Sequence, residues 1–172
     1  PTPLLVTLDA GASFDPNPDD EAGLEYQWSF SNGDPPLSGR IVEKSFTASS
    51  PAPERVDVLL TVTDPHGATD TTSAIVSLNN TPPVITITSP QDGSLYSMTE
   101  VTELDLRATV HDAEHGPDEL EFEWMEVLHH NSHTHEEPPI RRPEATVQIT
   151  PLGCGIETFW YRLQLVVTDS AG

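Results

Sequence analysis

The segment between positions 129 and 135 contains four of the 7 histidines of this 172-residue chain. Side chains of an extended strand alternate between its two faces, so a single strand here would bring every second side chain to the same face. Imidazoles arranged in this way can converge on one ion, and nitrogen ligands suit Zn, Cu, Ni or Fe(II). The spacing therefore predicts a transition-metal site, with Zn or Cu as its ion and with five candidate ligands: His129, Asn131, His133, His135 and Glu136.

Three interpretations of this histidine tract remain open from the sequence. One is the metal site, a second is a hydrogen-bonded loop that shapes a ligand surface, and the third is a solvated His-rich turn. His111 and His115 are candidate neighbours of the tract in space, but the sequence does not place them.

An internal repeat indicates which elements position the tract. Positions 24–28 and 120–124 both read Leu-Glu-aromatic-x-Trp, and each copy is followed later by Thr-Asp-x-x-Gly, at 63–67 and 168–172. Apolar residues alternate before both of these turns, which is typical of a strand with one buried face. The alternating residues are Val56, Val58, Leu60 and Val62 in the first copy and Tyr161, Leu163, Leu165 and Val167 in the second.

This pattern predicts an all-β chain with two domains, at 1–80 and 84–172, joined by a proline linker at 81–83. Strands are expected at 4–8, 24–30, 41–46, 56–63, 68–78 and 84–88, and the fourth and fifth should form a hairpin around 65–67. By the repeat, we expect a final strand of the second domain after residue 172. Either an open sheet edge or unseen residues that cover it are expected there.

The first half resembles the PKD (polycystic kidney disease) domain. The similarity lies in the segment from Trp28 to Asp34, in Phe46 and Thr47, and in the strand from Val58 to Asp64 with Gly67. The resemblance implies two immunoglobulin-like (PKD-type) β-sandwiches in tandem, with Trp28 in a core. The family usually has acidic residues and glycine where this chain has Ser29, Ser31 and Asn32, so the turn at that point is expected to differ.

The second half resembles PKD-like modules attached to secreted bacterial proteins related to PQQ-dependent sugar dehydrogenases. Positions 124–135 read Trp-x-x-Val-Leu-His-His-Asn-x-His-Thr-His, and Trp-Tyr-Arg follows at 160–162. Departures are Glu136 and Glu137, where the family has proline, and Met125 and Glu126.

The resemblance implies a non-catalytic accessory module, a spacer, adhesion or ligand-binding unit, of a larger secreted or cell-surface bacterial protein that is carbohydrate-active or redox-active. The implied partners are neighbouring domains of the same polypeptide and a polysaccharide or cell-surface ligand. The alternative is a metal-binding module in which His129, His133 and His135 hold a structural or redox metal.

Calcium is a separate prediction, because carboxylate and amide oxygens cluster before each repeated Trp strand. The candidate ligands are Asp15, Asn17, Asp19, Asp20 and Asp64 in the first domain and Asp112, Glu114, Asp118 and Asp169 in the second. The alternative is an ordinary Asx-rich β turn at each place.

Charge and composition exclude some partners. The chain has 28 Asp and Glu against 7 Lys and Arg, a formal net charge of -21, which makes nucleic acid a poor partner. No stretch approaches the roughly 20 apolar residues of a membrane span. If a carbohydrate binds, Tyr96, Phe159 and Trp160 are the candidate surface aromatics, and Trp160 should face away from Tyr161 on its strand.

No motif for an enzyme is present. The chain lacks a Gly-x-Ser-x-Gly elbow, a phosphate-binding glycine loop and a dinucleotide fingerprint, so we expect neither catalysis nor an organic cofactor. Cys154 is the single cysteine and is expected to be a buried or tolerated thiol rather than a nucleophile.

Overall fold

The computed structural model describes residues 2–151 and 158–172, so Cys154 lies outside the described residues. The chain is all-β with antiparallel sheets, and within the described residues its helical elements are two 3-10 turns, Glu21–Gly23 and Pro117–Glu119. The chain divides into two compact units, one up to Asn80 together with Ala171–Gly172 and the other Thr81–Ser170. The prolines of the expected linker thus belong to the start of the second unit.

The first unit contains six strands in two sheets. One sheet pairs β1 with β4, and the other has the order β3-β2-β5-β6. The predicted hairpin around 65–67 is confirmed, since β5 and β6 pair along their full length. The strands are β1 (Leu4–Asp9), β2 (Glu25–Phe30), β3 (Leu37–Ser38), β4 (Ile41–Phe46), β5 (Glu54–Thr63) and β6 (Thr69–Leu78).

Both sheets of the first unit contribute to one hydrophobic core, as in a β-sandwich. Alternate residues of β5 point inward, and Val56, Val58 and Leu60 are buried. Trp28 is 6% exposed, which confirms its predicted place in the core. Its indole Nε1 donates a hydrogen bond to the Gly39 carbonyl at 2.9 Å, so the polar edge of the ring is satisfied.

The described residues of the second unit also form six strands in two three-stranded sheets, with the orders β11-β8-β7 and β10-β9-β12. The two sheets share a core of Leu106, Trp124, Val147 and Ile149. The strands are β7 (Val84–Ser89), β8 (Thr102–His111), β9 (Glu121–His130), β10 (His133–Glu136), β11 (Ala145–Ile149) and β12 (Phe159–Thr168).

The internal repeat reappears in the pairing of the strands. Trp28 of β2 pairs with Leu60 of β5, and Trp124 of β9 pairs with Leu165 of β12. Residues 161, 163 and 165 of β12 pack against the core of the second unit, as their alternation predicts. Among the described residues β12 is an edge strand, whereas β5 lies between β2 and β6.

In residues 2–151 and 158–172, no helix has the length and apolar character that crossing a membrane requires.

Candidate metal centre

The histidine tract forms a tight hairpin rather than one strand. β9 ends at His130 and β10 begins at His133, so only Asn131 and Ser132 connect them. Asn131 has φ 50, in the left-handed region that asparagine tolerates better than most residues. Its amide donates to the Thr158 carbonyl at 3.2 Å, and its side-chain oxygen accepts from the Thr158 amide at 3.3 Å. These contacts fix the reversal of the chain between two histidines.

This reversal brings three imidazoles together. His133 is the cross-strand partner of His130, and His135 lies two residues further along β10 on the same face. Each of the three residues offers a ligand atom, and these atoms lie within 4.8 Å of one another. The closest pair is Nδ1 of His130 and Nε2 of His133, at 3.1 Å. We call these three residues the hairpin cluster.

Ring packing holds the hairpin cluster in place on one side. The His130 ring stacks on Phe159 of β12, with centroids 4.5 Å apart and an interplanar angle of 13°. The rings of His133 and His135 meet edge to face at 4.9 Å, and both residues are exposed. The cluster is therefore ordered by its strand pairing but open to solvent, so that an ion has direct access to it.

The donor set of the hairpin cluster suits a transition metal. Zinc bonds to imidazole nitrogen are about 2.0–2.1 Å long, which places two nitrogens of a tetrahedral site about 3.4 Å apart. A separation of 3.1 Å between His130 and His133 is close to that value. The ligand atom of His135 lies within 4.8 Å of the other two. Copper and zinc both accept such nitrogen ligands.

The predicted ligand set is only partly brought together. His133 and His135 are in the hairpin cluster, but His129 lies on the opposite face of β9 and stacks against Trp160, with centroids 3.6 Å apart and an interplanar angle of 7°. Asn131 forms the turn instead. Glu136 alternates with His135 and so faces away from the cluster.

The missing member of the predicted set is His130. The prediction assumed one continuous strand, in which His130 would point away from the other histidines. The turn at Asn131 and Ser132 restarts the alternation, so His130 and His133 face each other. The sequence does contain a signal for this hairpin, because asparagine is common in the short turns that connect two strands.

Two carboxylates lie near one another beyond the hairpin cluster, Glu126 on β9 and Glu137 directly after β10. Glu126 is four residues before His130, and its carbonyl accepts a hydrogen bond from the Glu137 amide at 3.0 Å. Burial raises the pKa of Glu126, and the nearby negative charge of Glu137 raises it further. Both line a cavity of about 410 Å³ with Trp124 and Tyr161. Burial also raises the pKa of Tyr161, and the negative charge of Glu126 raises it further.

The three predicted surface aromatics do not form one platform. Tyr96 packs against the core, edge to face with Tyr161 at 5.5 Å, and its hydroxyl donates to the Phe159 carbonyl at 3.4 Å. Phe159 is stacked on His130. Trp160 is 49% exposed and faces away from Tyr161, as its position on the strand predicts. Trp160 is thus the member of this set that solvent reaches most directly.

The predicted calcium ligands of the first unit take part in turns. Asp15 Oδ1 accepts from the Asn17 amide at 2.7 Å. Asp64 Oδ1 accepts from the amides of His66 and Ala68, both at 2.8 Å. Asp20 lies 3.4 Å from Nε2 of His66. Among the described residues of this unit, the carboxylates of Asp15, Asp19, Asp20 and Asp64 belong to no group of three metal-ligating His, Cys, Asp or Glu side chains within 4.8 Å of one another.

In the second unit the four predicted calcium ligands do not all lie together. Glu114 Oε2 accepts hydrogen bonds from the Thr81 amide at 3.2 Å and from its hydroxyl at 2.6 Å, and Asp118 is exposed. Asp112 and Asp169 do approach each other, together with His115, and one ligand atom from each lies within 4.8 Å of the others. His115 thus belongs to a second cluster, while His111 lies opposite Val84 at the end of β8.

Neither a family model, nor a curated protein, nor a solved structure matches this chain.

Proposed function

We propose that this chain is a non-catalytic accessory module that binds one transition-metal ion, Zn²⁺ or a copper ion, through His130, His133 and His135. The observation that carries the proposal is the convergence of three imidazole ligand atoms within 4.8 Å on one face of a two-residue hairpin. Three imidazoles are a sufficient protein donor set for zinc, with water or a further ligand completing the coordination.

A bound ion has a clear structural use in this position. β10 has four residues, all of them exposed, and β9 is its one strand partner in the described part of the chain. An ion shared by His130, His133 and His135 ties this short strand to β9. Ligand binding to the folded state alone stabilises it by about 2.7 kcal/mol when the free metal concentration is 100 times Kd. We therefore infer a structural role for the ion before a redox role.

The accessory role rests on the architecture and on the sequence resemblance. Each unit packs its two antiparallel sheets around a core tryptophan, and the repeated motifs resemble those of PKD-type immunoglobulin-like modules. We propose that the chain belongs to a larger secreted or cell-surface bacterial protein and works beside neighbouring domains. A net charge of -21 supports a role in contact with cations or neutral polysaccharide rather than with acidic polymers.

A second candidate function is favoured by one observation, the stack of His129 on Trp160. Trp160 is 49% exposed, and its ring is held flat against the imidazole at 3.6 Å. A rigid, half-exposed indole is a suitable surface for the apolar face of a sugar ring. Addition of soluble polysaccharides should then shift the fluorescence of the chain, and Trp160→Ala should abolish that shift. If the wild-type fluorescence does not respond, the ligand-binding candidate fails while the metal proposal is unaffected.

Elemental analysis tests the metal proposal. The protein should be purified without a polyhistidine tag, incubated with ZnCl2 or CuSO4, desalted and analysed for metal per chain. We expect His133→Ala to contain one metal ion per chain fewer than wild type. A suitable control is His66→Ala, because His66 is an exposed histidine of the first unit and lies outside the hairpin cluster. Equal metal content in wild type and His133→Ala would overturn the proposal.

A further inference from the structure

Asp112 is a buried carboxylate with one unsatisfied oxygen. Its side chain is 0% exposed, and Oδ1 accepts hydrogen bonds from the amides of Glu114 at 2.9 Å and His115 at 2.7 Å. Its other oxygen, Oδ2, is buried and has no hydrogen-bond partner among the described residues. A buried charged oxygen without a partner is costly, and native proteins usually satisfy such atoms. A bound cation would satisfy Oδ2.

Two further metal-ligating side chains converge on Asp112. Nδ1 of His115 lies 3.2 Å from Asp112 Oδ1, and the His115 side chain is 6% exposed. Asp169 is also buried, at 5% exposure, and it belongs to the same group within 4.8 Å. The set therefore combines two carboxylates with one imidazole, in surroundings from which water is largely excluded.

The Asp112 carboxylate is charged as well as buried. Burial raises the pKa of Asp112, but the hydrogen bonds from the amides of Glu114 and His115, together with the interaction with the His115 side chain, lower it below the ordinary value. Asp112 is consequently ionised at neutral pH. A cation bound beside Asp112 Oδ2 would interact favourably with this buried carboxylate.

The position of the group in the fold gives a cation a mechanical role. Asp112 is the first residue after β8, and Asp169 is the first residue after β12. These two strands belong to different sheets of the second unit. An ion held by both aspartates would therefore fasten one sheet to the other at this end of the unit.

The first unit uses the corresponding residues differently. Asp64, the repeat counterpart of Asp169, accepts two backbone amides in its turn, and Asp15 accepts the Asn17 amide. Counted back from the repeated residues Leu24 and Leu120, the counterpart of Asp112 is Pro16, which has no side-chain ligand atom. The convergence of two aspartates with a histidine is thus a property of the second unit.

We propose that Asp112, His115 and Asp169 form a second metal site, which binds one divalent transition-metal cation of the Zn²⁺ or Mn²⁺ class. Mixed imidazole and carboxylate donors suit these ions, whereas Ca²⁺ takes six to eight oxygen ligands. The site is separate from the hairpin cluster, because the two lie at opposite ends of β12, a strand whose 10 residues span about 30 Å. Neither site depends on the other.

The test uses the full chain with the double substitution His130→Ala and His133→Ala, which removes the hairpin cluster. This variant is incubated with ZnCl2, desalted and analysed for zinc, and its zinc affinity is measured by isothermal titration calorimetry. We expect one zinc per chain. Adding His115→Gln should weaken that binding at least tenfold, and adding Asp169→Asn should do the same. A matched control is Glu114→Gln, since the Glu114 side chain contacts Thr81 instead of the site.

If circular dichroism shows that Asp169→Asn does not fold, the His115→Gln variant decides the test. Its backbone amide at position 115 can still donate a hydrogen bond to Asp112. Absence of zinc in the double variant, or unchanged affinity after His115→Gln, would mean that His115 and Asp112 form a hydrogen-bonded pair only, and would overturn the proposal. Displacement of zinc by equimolar CaCl2 would overturn the assignment of the metal class. A different result would refute the proposal for the hairpin cluster, namely an equal zinc content in wild type and in the double variant.

Discussion

Nε2 of His133 lies 3.1 Å from Nδ1 of His130 across the β9–β10 hairpin. In the hydrogen bond between them, one nitrogen donates its N–H proton and the other accepts it, according to the tautomer of each ring. A metal ion replaces that proton and uses both lone pairs. The same geometry therefore serves a hydrogen bond in the metal-free chain and a pair of ligands in the metal-bound chain.

The first prediction separates the two neighbouring histidines at the end of β9. His130→Ala should weaken zinc binding at the hairpin cluster at least tenfold, equivalent to about 1.4 kcal/mol, since it removes one of three ligands. His129→Ala should leave the affinity within about twofold, because its ring stacks on Trp160 on the other face. Isothermal titration calorimetry with ZnCl2 measures both. Loss of affinity in His129→Ala with retention in His130→Ala would contradict the hairpin geometry.

The second prediction concerns Asn131, which is a turn residue here rather than a ligand. Asn131→Gly should retain zinc, because glycine adopts the left-handed backbone that φ 50 requires. Asn131→Val should bind zinc more weakly, since a β-branched side chain is strained in that region by about 1–2 kcal/mol and would disturb the pairing of His130 with His133. Zinc titrations of both variants provide the measurement. If Asn131→Gly loses zinc while remaining folded, the side-chain amide is a ligand after all.

The third prediction is a pH dependence at Glu126. Its pKa in the folded chain is above the ordinary 4.5, so folding favours the protonated form. The stability it contributes is complete below pH 4.5 and is lost as the pH rises through the raised folded-state pKa. Glu126→Gln should therefore raise the midpoint of thermal unfolding at pH 7 and give no such increase at pH 4.

Thermal unfolding followed by circular dichroism at these two pH values checks this prediction. Glu123→Gln is the matched control on the same strand, because the Glu123 carboxylate is paired with Arg141 on the other face of β9. A stabilisation by Glu126→Gln that is equal at both pH values would show that titration of this group is not the cause.

The fourth prediction distinguishes the two tryptophans of the second unit. Trp124 is 1% exposed and packs in the core, so Trp124→Ala should lower the free energy of unfolding by about 3–5 kcal/mol. Trp160 is half-exposed, and Trp160→Ala should cost about 1 kcal/mol through loss of the stack on His129. Urea unfolding monitored by circular dichroism compares them. Equal losses for the two variants would contradict the assignment of the inward and outward faces.

The strands were largely predictable because burial of one face leaves a period of two in the sequence. The alternation of Val56, Val58 and Leu60 located β5, and the expected strand at 41–46 coincides with β4. No prediction covered β8, although Leu104 and Leu106 alternate with charged residues there. That alternation is itself the pattern of a strand with one inward face, and this face contributes Leu106 to the core.

The candidate sites were less predictable, because ligand convergence depends on turns and pairing rather than on spacing. Composition located the histidine tract, but a two-residue turn decided that His130 and not His129 joins His133. Likewise, the acidic residues near Asp112 were visible in the sequence, whereas the approach of His115 and Asp169 required two sheets to be packed together. Long-range pairing of this kind leaves no local pattern.

The most direct test of the hairpin cluster is X-ray diffraction from crystals grown with ZnCl2, with data collected on both sides of the zinc absorption edge. We predict an anomalous peak about 2.0–2.1 Å from one ring nitrogen each of His130, His133 and His135. An anomalous map without a peak between these three rings, in crystals where the hairpin is unobstructed, would contradict the metal-binding function proposed for this chain.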